Sequence, residues 1–584
     1  MCRLFLLVLF ALSFNPCSGA GTPPNIVIFL ADDQGWGDLR ISGNTNLKTP
    51  NIDSLARDGA SFENFYVCAV CAPTRAEFLT GRYHARTGVS GVSEGTERIN
   101  PDETTLADLL KNAGYATGAF GKWHNGTQAP YHPNDRGFDE YYGFTSGHWG
   151  HYFSPPLDHN RKMVRGKGYL VDDLTDHAIE FIRENQDQPF FCFVPYNTPH
   201  SPMMIDDEFY DRFADLDPGM KHRDPKKEDI LMTRAALAMC ENIDWNVGRV
   251  LEALESLQLS DNTIVIYFSD NGPNSFRWNG GMKGKKGSVD EGGLRSPFFV
   301  RWPGRIPAGR KFDQVAGAID ILPTLLDLSG IAATPTKPLD GKSLKPLLFG
   351  DSAIWEDRIL FNAYRNRLSL RNQRFRLDNS GKLFDIASDR GQETDVSGLH
   401  PEIANQMADA AKPFRAEVKR LIEKNGERPF TVGYHEHTPL PARDGVPHGD
   451  VQRSSKAPNN SFFENWTSEA GHITWKIEVA EPASFAVTLN YTCRESELGV
   501  KIRLEDREGS FAEAVVSEAF DPPLYDKSKE RVAESHYFVK DFKALSLGPI
   551  SLPSGVNTLT LSARDFVGDE AIDVHSIELL RLEQ

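Results

Sequence analysis

The chain has 584 residues, of which 40% are hydrophobic and 10% aromatic, and this length and composition are typical of a folded protein of two or three domains. Its 64 basic and 81 acidic side chains give a formal net charge of −17, so its surface as a whole repels polyanions. This charge argues against nucleic acid as a partner, and an anionic substrate would need a local cluster of cations or a metal ion.

The first 20 residues have the pattern of an export signal. Arg3 supplies the positive start, Leu4–Phe14 the apolar stretch, and Ser18–Ala20 a cleavage site of small residues. The apolar stretch is too short to span a bilayer and no later segment is long enough, so the sequence predicts an exported protein (periplasmic, extracellular or secretory) without a transmembrane anchor. Lipid attachment at Cys17 is not expected, because Phe14–Pro16 is a poor context for it.

Four short apolar runs predict strands of one parallel sheet. They are apolar on both faces, as strands covered by helices are, and they lie at Asn25–Leu30, Tyr115–Phe120, Pro189–Tyr196 and Thr263–Phe268. Predicted helices separate them, including Thr105–Ala113, Tyr169–Asn185 and Asp229–Leu257. This alternation predicts an α/β fold, with a mostly parallel sheet covered by helices on both faces.

Polar residues follow each of these runs, at the end where ligands bind in such sheets. Asp32 and Asp33 follow the first run, and Asp270 and Asn271 follow the last. Their carboxylate and amide oxygens are hard ligands, which suit calcium and, less well, magnesium. Alternatively, these residues only cap strand ends, where Asp and Asn are favoured in any case.

The segment Val70–Arg82 predicts a helix that starts beside a cysteine. Pro73 is tolerated in a first helical turn, and Gly81 ends the helix. Cys71 would then lie at the helix N-terminus, where the dipole favours negative charge and lowers the pKa of a thiol. Alternatively, Cys71 is a small buried hydrophobic residue.

The spacing within this segment resembles a known signature. Cys71-x-Pro73-x-Arg75, followed by Leu79–Gly81, is similar to the motif of the type I (formylglycine-dependent) sulfatases, arylsulfatase-like enzymes of the alkaline phosphatase superfamily. Thr74 stands where the commonest form of the motif has serine. The resemblance implies that a formylglycine-generating or equivalent maturation enzyme oxidises Cys71 to formylglycine, the catalytic residue of the family.

The same resemblance, which covers Asn25–Leu399, implies further site residues. The residues that match the family's calcium ligands are Asp32, Asp33, Asp270 and Asn271. A formylglycine oxygen at position 71 would complete the coordination. Those that match its sulfate site are Arg75, Lys122, His124, His200 and Lys286. Lys286 is preferred to Lys283 and Lys285 because its distance from Glu291–Gly293 fits the family spacing.

The implied reaction is hydrolysis of a sulfate monoester, expected in a sulfated carbohydrate or small molecule. One hydroxyl of hydrated formylglycine attacks sulfur with help from the metal and Arg75, and His200, with Lys286 nearby, protonates the leaving alcohol. His124 then deprotonates the second hydroxyl, and sulfate leaves. Two alternatives stay open: a phosphonate or phosphate ester hydrolase of the same superfamily, and a catalytically silent protein that binds sulfated glycans.

Beyond a catalytic α/β domain at 21–335, the sequence predicts three further parts. Short strands and a helix from Pro401 indicate a small α+β subdomain at 336–426, and the Pro, Gly, His and charge content of 427–458 indicates a linker or long surface loop. Alternation of period two, as in Ile473–Val479, predicts an antiparallel β-sandwich of jelly-roll type at 459–584. This sandwich either binds carbohydrate or only packs against the catalytic domain. If it binds carbohydrate, a chain that ends near Asn425 should keep its turnover of a small aryl sulfate.

Overall fold

The computed structural model describes residues 22–350, 355–426, 428–533 and 537–583. The predicted export signal, including Cys17, lies outside these residues and stays a prediction. Within the described ranges, no helix is both long enough and apolar enough to cross a membrane.

A ten-stranded sheet forms the centre of the N-terminal part of the chain. The strands of this part are β1 (Asn25–Ala31), β2 (Ala60–Phe62), β3 (Phe65–Tyr66), β4 (Ala116–Lys122), β5 (Glu140–Phe144), β6 (Pro156–His159), β7 (Lys162–Arg165), β8 (Phe190–Pro195), β9 (Thr263–Ser269), β10 (Phe298–Arg301), β11 (Arg310–Phe312) and β12 (Ala316–Gly317). The sheet has the order β11-β2-β10-β9-β1-β8-β4-β5-β6-β7, and β3 pairs separately with β12.

Helices cover both faces of this sheet. The helices of the chain are α1 (Pro50–Arg57), α2 (Cys71–Thr80), α3 (Leu106–Asn112), α4 (Leu170–Glu184), α5 (Asp207–Tyr210), α6 (Ile230–Ser256), α7 (Glu291–Leu294), α8 (Ile321–Leu328), α9 (Lys345–Leu348) and α10 (Pro401–Asn425). Because successive side chains of a strand point to opposite faces, Val27 and Phe29 of β1 pack in one core with α4 and α6. Ile28 and Leu30 pack in the other core with α2, α3 and α8.

The four strands predicted from the sequence are neighbours at the centre of the sheet. They lie in the order β9-β1-β8-β4, and each neighbouring pair is parallel. The predicted helices correspond to α3, α4 and α6, which start one residue later and end one residue earlier than predicted. The predicted fold class is therefore confirmed, and the carboxyl ends of these strands meet at one edge of the sheet.

A small antiparallel sheet follows, as predicted for the α+β part. It has the order β13 (Leu360–Tyr364), β14 (Arg367–Arg371), β15 (Phe375–Leu377) and β16 (Leu383–Asp385). Helix α10 packs on it, with Met407 and Phe414 in one cluster with Leu368 and Leu370 of β14. Strand β14 was not predicted, although its alternating Leu368 and Leu370 are a usable signal for a strand.

Two sheets form the C-terminal sandwich and enclose one apolar core. Their strands are β17 (Phe430–Val432), β18 (His437–Pro441), β19 (Val446–His448), β20 (Gln452–Arg453), β21 (Phe463–Glu464), β22 (His472–Val479), β23 (Ala483–Thr492), β24 (Lys501–Glu505), β25 (Phe511–Val515), β26 (Lys543–Leu552), β27 (Gly555–Arg564) and β28 (Asp573–Arg581). One sheet has the order β17-β22-β27-β24-β25 and the other β20-β21-β28-β23-β26; β19 and β18 pair with β22 and β28 respectively. The alternating residues Ile473, Trp475, Ile477 and Val479 are all buried in the core, as their pattern predicts.

The prediction of a linker or surface loop at 427–458 is wrong. This stretch supplies β17 to β20, and β17 pairs in parallel with β22 while β18 pairs with β28. Phe430, Val432 and Leu440 are buried in the core of the sandwich, between the proline and charged residues that suggested a loop. The prolines are tolerated because β18 pairs with a single strand, β28, among the described residues, so half of its backbone needs no ladder partner.

Candidate active site

Cys71 is the first residue of α2, as the sequence predicts. The preceding residue, Val70, is extended, and Gly81 ends the helix with a φ of 67°, which a residue without a side chain adopts freely. Every residue of the helix is buried, and Cys71 is 3% exposed. The first turn of α2 therefore holds a buried cysteine.

The expectation of a lowered thiol pKa is wrong. Burial raises the pKa of Cys71, and the nearby Lys122 and Lys286 do not compensate for it. Desolvation by the surrounding protein is the largest cause of this shift, and it disfavours the thiolate.

An acidic cluster lies next to Cys71, where β1 and β9 end. The main-chain N–H of Asp33 donates to Asp270 Oδ1 at 3.2 Å, and Asn271 Nδ2 donates to Asp33 Oδ1 at 2.9 Å. A carboxylate oxygen of Asp32, one of Asp270 and the sulfur of Cys71 all lie within 4.8 Å of one another. All four acidic and amide side chains are buried. These side chains thus lie together where the two strands end.

This cluster fits a divalent cation. Asp32 Oδ1 and Asn271 Oδ1 are buried oxygens that have no hydrogen-bond partner among the described residues. Burial, and then the neighbouring Asp32, raises the pKa of Asp270 to about 7, against the opposing effect of Arg75 and Lys122. Buried carboxylate and amide oxygens with spare lone pairs are what calcium or magnesium binds.

Three cations surround the acidic cluster. Lys122 Nζ lies 2.5 Å from Asp32 Oδ2, Arg75 Nη2 lies 2.9 Å from Asp270 Oδ2, and Lys286 Nζ lies 2.7 Å from Asp33 Oδ1. Burial raises the pKa of Asp33, but Lys286 and then His200 outweigh it and hold this pKa well below its usual range. Each cation therefore faces a different carboxylate of the cluster.

The choice of Lys286 among three nearby lysines agrees with these contacts. Lys285 Nζ donates to the carbonyl oxygen of Asn274 at 2.8 Å, and Lys283 Nζ lies 3.5 Å from Asp290. Lys286 is the lysine of this loop that reaches Asp33.

His124 follows β4 and has a φ of 63°, a strained backbone conformation typical of functional sites. Its Nε2 donates to the carbonyl oxygen of Val92 at 2.8 Å, and its buried Nδ1 has no partner among the described residues. Burial and then Lys122 hold the pKa of His124 well below its usual range. The ring is therefore neutral, with its proton on Nε2 and a free lone pair on Nδ1.

His200 follows β8 and faces Asp33. Its Nδ1 donates to the carbonyl oxygen of Ser201 at 2.7 Å, and its Nε2 lies 3.7 Å from Asp33 Oδ2. Burial and then Lys286 lower the pKa of His200 to about 3, against the opposing effect of Asp33. Nε2 is therefore the atom of this ring that is directed toward the acidic cluster.

Thr74, which departs from the common motif, forms two hydrogen bonds through its hydroxyl. Its Oγ1 donates to the carbonyl oxygen of Asp270 at 2.6 Å and accepts from the N–H of Cys68 at 2.8 Å. The hydroxyl ties α2 to the end of β9, which a serine could do equally.

Sequence reasoning missed several residues that support the site. Arg277 donates to both Asp38 carboxylate oxygens and to the carbonyl oxygen of Asp33, which fixes the main chain of a predicted metal ligand. His148 stacks on His200 with ring centroids 5.9 Å apart. The glycine-flanked sequence Gly147–Gly150, directly after β5, was an available signal for His148, whereas no pattern marks Arg277.

Comparison with known proteins identifies the family. A family model described as Sulfatase matches residues 24–331, more than half of the chain, and one described as N-sulphoglucosamine sulphohydrolase, C-terminal, matches residues 284–379. N-acetylgalactosamine-6-sulfatase of Canis lupus familiaris is 33% identical over 392 residues, which cover 61% of this chain and 71% of that protein. Steryl-sulfatase of Mus musculus is 31% identical over 449 residues, with 60% and 69% covered.

Solved structures agree in fold. The crystal structure of Ps i-CgsB in complex with k-i-k-neocarrahexaose superposes with a TM-score of 0.62 at 29% identity, and covers 69% of this chain and 98% of that chain. Phosphonate monoester hydrolase of Agrobacterium radiobacter shares the fold with a TM-score of 0.52 at 21% identity, with 68% and 96% covered. Together with the family model, these similarities show that the chain belongs to the type I sulfatases of the alkaline phosphatase superfamily and is a sulfate ester hydrolase.

Proposed function

We propose that this sulfatase removes sulfate from a carbohydrate through formylglycine formed from Cys71, beside a calcium ion. The observation that carries the proposal is the convergence of Cys71 Sγ with oxygens of Asp32 and Asp270 within 4.8 Å, at the first turn of a buried helix. The carbohydrate class is supported by two similar proteins, one named N-acetylgalactosamine-6-sulfatase and one solved with k-i-k-neocarrahexaose.

Asp32, Asp33, Asp270 and Asn271 would hold the calcium ion, and magnesium is the less favoured occupant. A bound divalent cation supplies positive charge that stabilises negative charge developing near position 71. The proposal includes a formylglycine-generating or equivalent maturation enzyme, because the oxidised residue must be made before the enzyme is active. It also includes export of the protein by the signal at 1–20.

The first step transfers the sulfuryl group to the protein. Lys122 and Lys286 neutralise the oxygens of the bound sulfate ester, and Arg75 helps one hydroxyl of hydrated formylglycine to release its proton to solvent. The oxygen of that hydroxyl forms a bond to sulfur, and the bond between sulfur and the sugar oxygen breaks. The sugar oxygen takes a proton from His200 Nε2, whose charged form is favoured by the negative charge of the bound ester.

The second step releases sulfate. His124 Nδ1, which has no hydrogen-bond partner among the described residues, accepts the proton of the remaining hydroxyl. The carbon–oxygen double bond of the aldehyde re-forms as the bond between carbon and the sulfate oxygen breaks. Water then hydrates the aldehyde again, so no water molecule has to attack sulfur.

A panel of matched substrates tests this proposal. The purified protein, produced with its maturation enzyme, is assayed with 4-nitrophenyl sulfate, with an aryl phosphonate monoester of the same leaving group, and with sulfated sugars that include N-acetylgalactosamine 6-sulfate. We expect turnover of the aryl sulfate and of at least one sulfated sugar. A higher kcat/KM for the phosphonate, or no turnover of any sulfated sugar, would contradict the proposal.

A further inference from the structure

The sandwich sends a long segment back onto the catalytic domain. Residues 517–542, described except for 534–536, connect β25 to β26, and we call this segment the arm. The N–H of Arg531 donates to the carbonyl oxygen of Met203 at 2.9 Å, and the N–H of Ile205 donates to the carbonyl oxygen of Lys529 at 3.3 Å. Because Met203 lies three residues after His200, the arm pairs with the loop that carries this histidine.

A second connection runs through the loop after β5. We call residues 146–152 the β5–β6 loop. The ring of His148 stacks on that of His200 with an interplanar angle of 18°, and Tyr537 of the arm meets His148 edge-on, with centroids 5.1 Å apart. The hydroxyl of Tyr152 donates to the carbonyl oxygens of His200 and Ser201, both at 3.0 Å. His200 is thus held by this loop, and the loop by the arm.

The sandwich is also connected to His124, near the same loop. Ser146 Oγ donates to the carbonyl oxygen of Asn459, and Asn459 Nδ2 donates to the carbonyl oxygen of Val92, which also accepts from His124. A Cβ atom at Gly147 would lie 2.4 Å from Asn459 Nδ2 and 2.5 Å from His124 Nε2. The loop therefore fills the space between the sandwich and both histidines.

These side chains are packed rather than open. Tyr537 is 5% exposed and His148 is 6% exposed, so neither ring presents a surface on which a sugar could stack. The two rings pack against each other, and the ring of His148 also packs against that of His200. Such an arrangement acts on the orientation of His200, not on the substrate directly.

We propose that Tyr537 and His148 are positioning residues, through which the sandwich holds the imidazole of His200 with Nε2 toward the active site. The proposal rests on the proposed role of His200 as proton donor to the leaving alcohol. The hydrogen bond from Nδ1 to Ser201 fixes one edge of the ring, but stacking on His148 restrains its plane. Loss of that restraint would misplace the proton donor, and small misplacements are costly in catalysis.

A series of leaving groups distinguishes positioning from a general structural role. A weakly basic leaving group such as 4-nitrophenolate departs without a proton, whereas phenolates of higher basicity and sugar alcohols need one. For Tyr537→Ala we expect kcat/KM within about threefold of wild type for 4-nitrophenyl sulfate, and at least about tenfold lower for phenyl sulfate. A plot of log kcat/KM against the pKa of the leaving group should therefore become steeper.

Three variants accompany this measurement. His200→Gln gives the slope expected when the proton donor is absent. Tyr537→Phe keeps the ring and should keep the wild-type slope. Phe538→Ala removes the next aromatic ring of the arm, which lies under Lys527, and should also keep it. If Tyr537→Ala does not fold, His148→Asn makes the same test from within the catalytic domain.

The outcomes separate the two proposals. If kcat/KM falls by the same factor for all leaving groups in Tyr537→Ala and His148→Asn, or does not change, the positioning role is overturned. A steeper slope in His200→Gln would still support the proposed function in that case. An unchanged slope in His200→Gln would instead remove His200 as the proton donor, and the positioning proposal with it. A steeper slope in Tyr537→Ala, His148→Asn and His200→Gln, with the wild-type slope kept in Tyr537→Phe and Phe538→Ala, supports both.

Discussion

At the scale of single residues, the site is a set of buried charges that are almost balanced. Lys122, Arg75 and Lys286 each face one carboxylate, yet two side-chain oxygens, one of Asp32 and one of Asn271, have no partner in the described part of the chain. Buried polar atoms are costly when unpaired. The arrangement therefore favours a bound cation together with an anionic substrate.

Replacement of Asp270 tests the cation site. Asp270→Asn keeps the shape of the side chain but removes one negative charge, so we expect calcium affinity to fall by at least about tenfold and activity to fall with it. Calorimetric titration of the metal-free protein measures the affinity. Asp244→Asn is a matched control, since this buried carboxylate of α6 accepts from the N–H of Ile52, away from the cluster. Full activity of wild type after exhaustive chelation, with no metal detected, would count against the site.

Replacement of His124 tests the second step. In His124→Ala the remaining hydroxyl has no base, so the first sulfuryl transfer proceeds and the sulfated protein accumulates. We expect a burst of about one equivalent of phenol from an aryl sulfate and then at least about 100-fold slower turnover. Mass spectrometry of the intact protein should show the sulfate adduct. Continued turnover at the wild-type rate would show that another group accepts this proton.

At the scale of elements, α2 is held in place by its contacts and not by an amphipathic pattern, because all its residues are buried. Thr74 carries part of this attachment. Thr74→Val should lower the free energy of unfolding by about 1–3 kcal/mol, because the N–H of Cys68 and the carbonyl of Asp270 both lose a buried partner. Thr74→Ser should cost less than half as much. Urea unfolding measures both, and equal losses would show that the methyl group matters more than the hydroxyl.

Elements with a strong pattern were predictable, and elements defined by distant partners were not. Strands β1, β4, β8 and β9 are apolar on both faces, so their sequence alone marks them and the polar residues at their ends. Strands β2 and β11 have three residues each and carry too little pattern. Strand β18 was missed because its two prolines suggest a loop, and only its partner β28 makes it a strand.

The site divides in the same way. The family spacing favours Lys286 among three lysines, and Lys286 is in contact with Asp33. The direction of the pKa of Cys71 was mispredicted, because burial depends on the packing of the whole fold. His148 contacts Tyr537, which lies far along the chain, and no local pattern predicts that contact.

At the scale of the whole molecule, the sandwich is joined to the catalytic domain by buried polar contacts. Gln128 Nε2 donates to the carbonyl oxygen of Pro439 and to Asp444 Oδ2, both at 2.9 Å, and Arg98 Nη1 donates to the carbonyl oxygen of Pro429 at 2.7 Å. Both Gln128 and Arg98 are nearly fully buried. These contacts favour a sandwich that completes the catalytic domain.

Truncation before the sandwich should therefore affect every substrate. A chain that ends near Asn425 leaves Gln128 and Arg98 without these partners and removes the arm from the loop of His200. We expect a lower melting temperature and a loss of turnover on a small aryl sulfate as large as the loss on a sulfated polysaccharide. A loss of kcat/KM on the polysaccharide alone would instead indicate a separate carbohydrate-binding module.

The central claim, that Cys71 is converted to formylglycine, is tested most directly by mass spectrometry of active protein. The peptide that ends at Arg75 should carry the mass of formylglycine or its hydrate at position 71, and Cys68 in the same peptide should stay a thiol. Cys71→Ala should abolish turnover, whereas Cys68→Ala, which changes a buried cysteine outside the acidic cluster, should retain it. Active protein in which position 71 is entirely an unmodified cysteine would contradict the account.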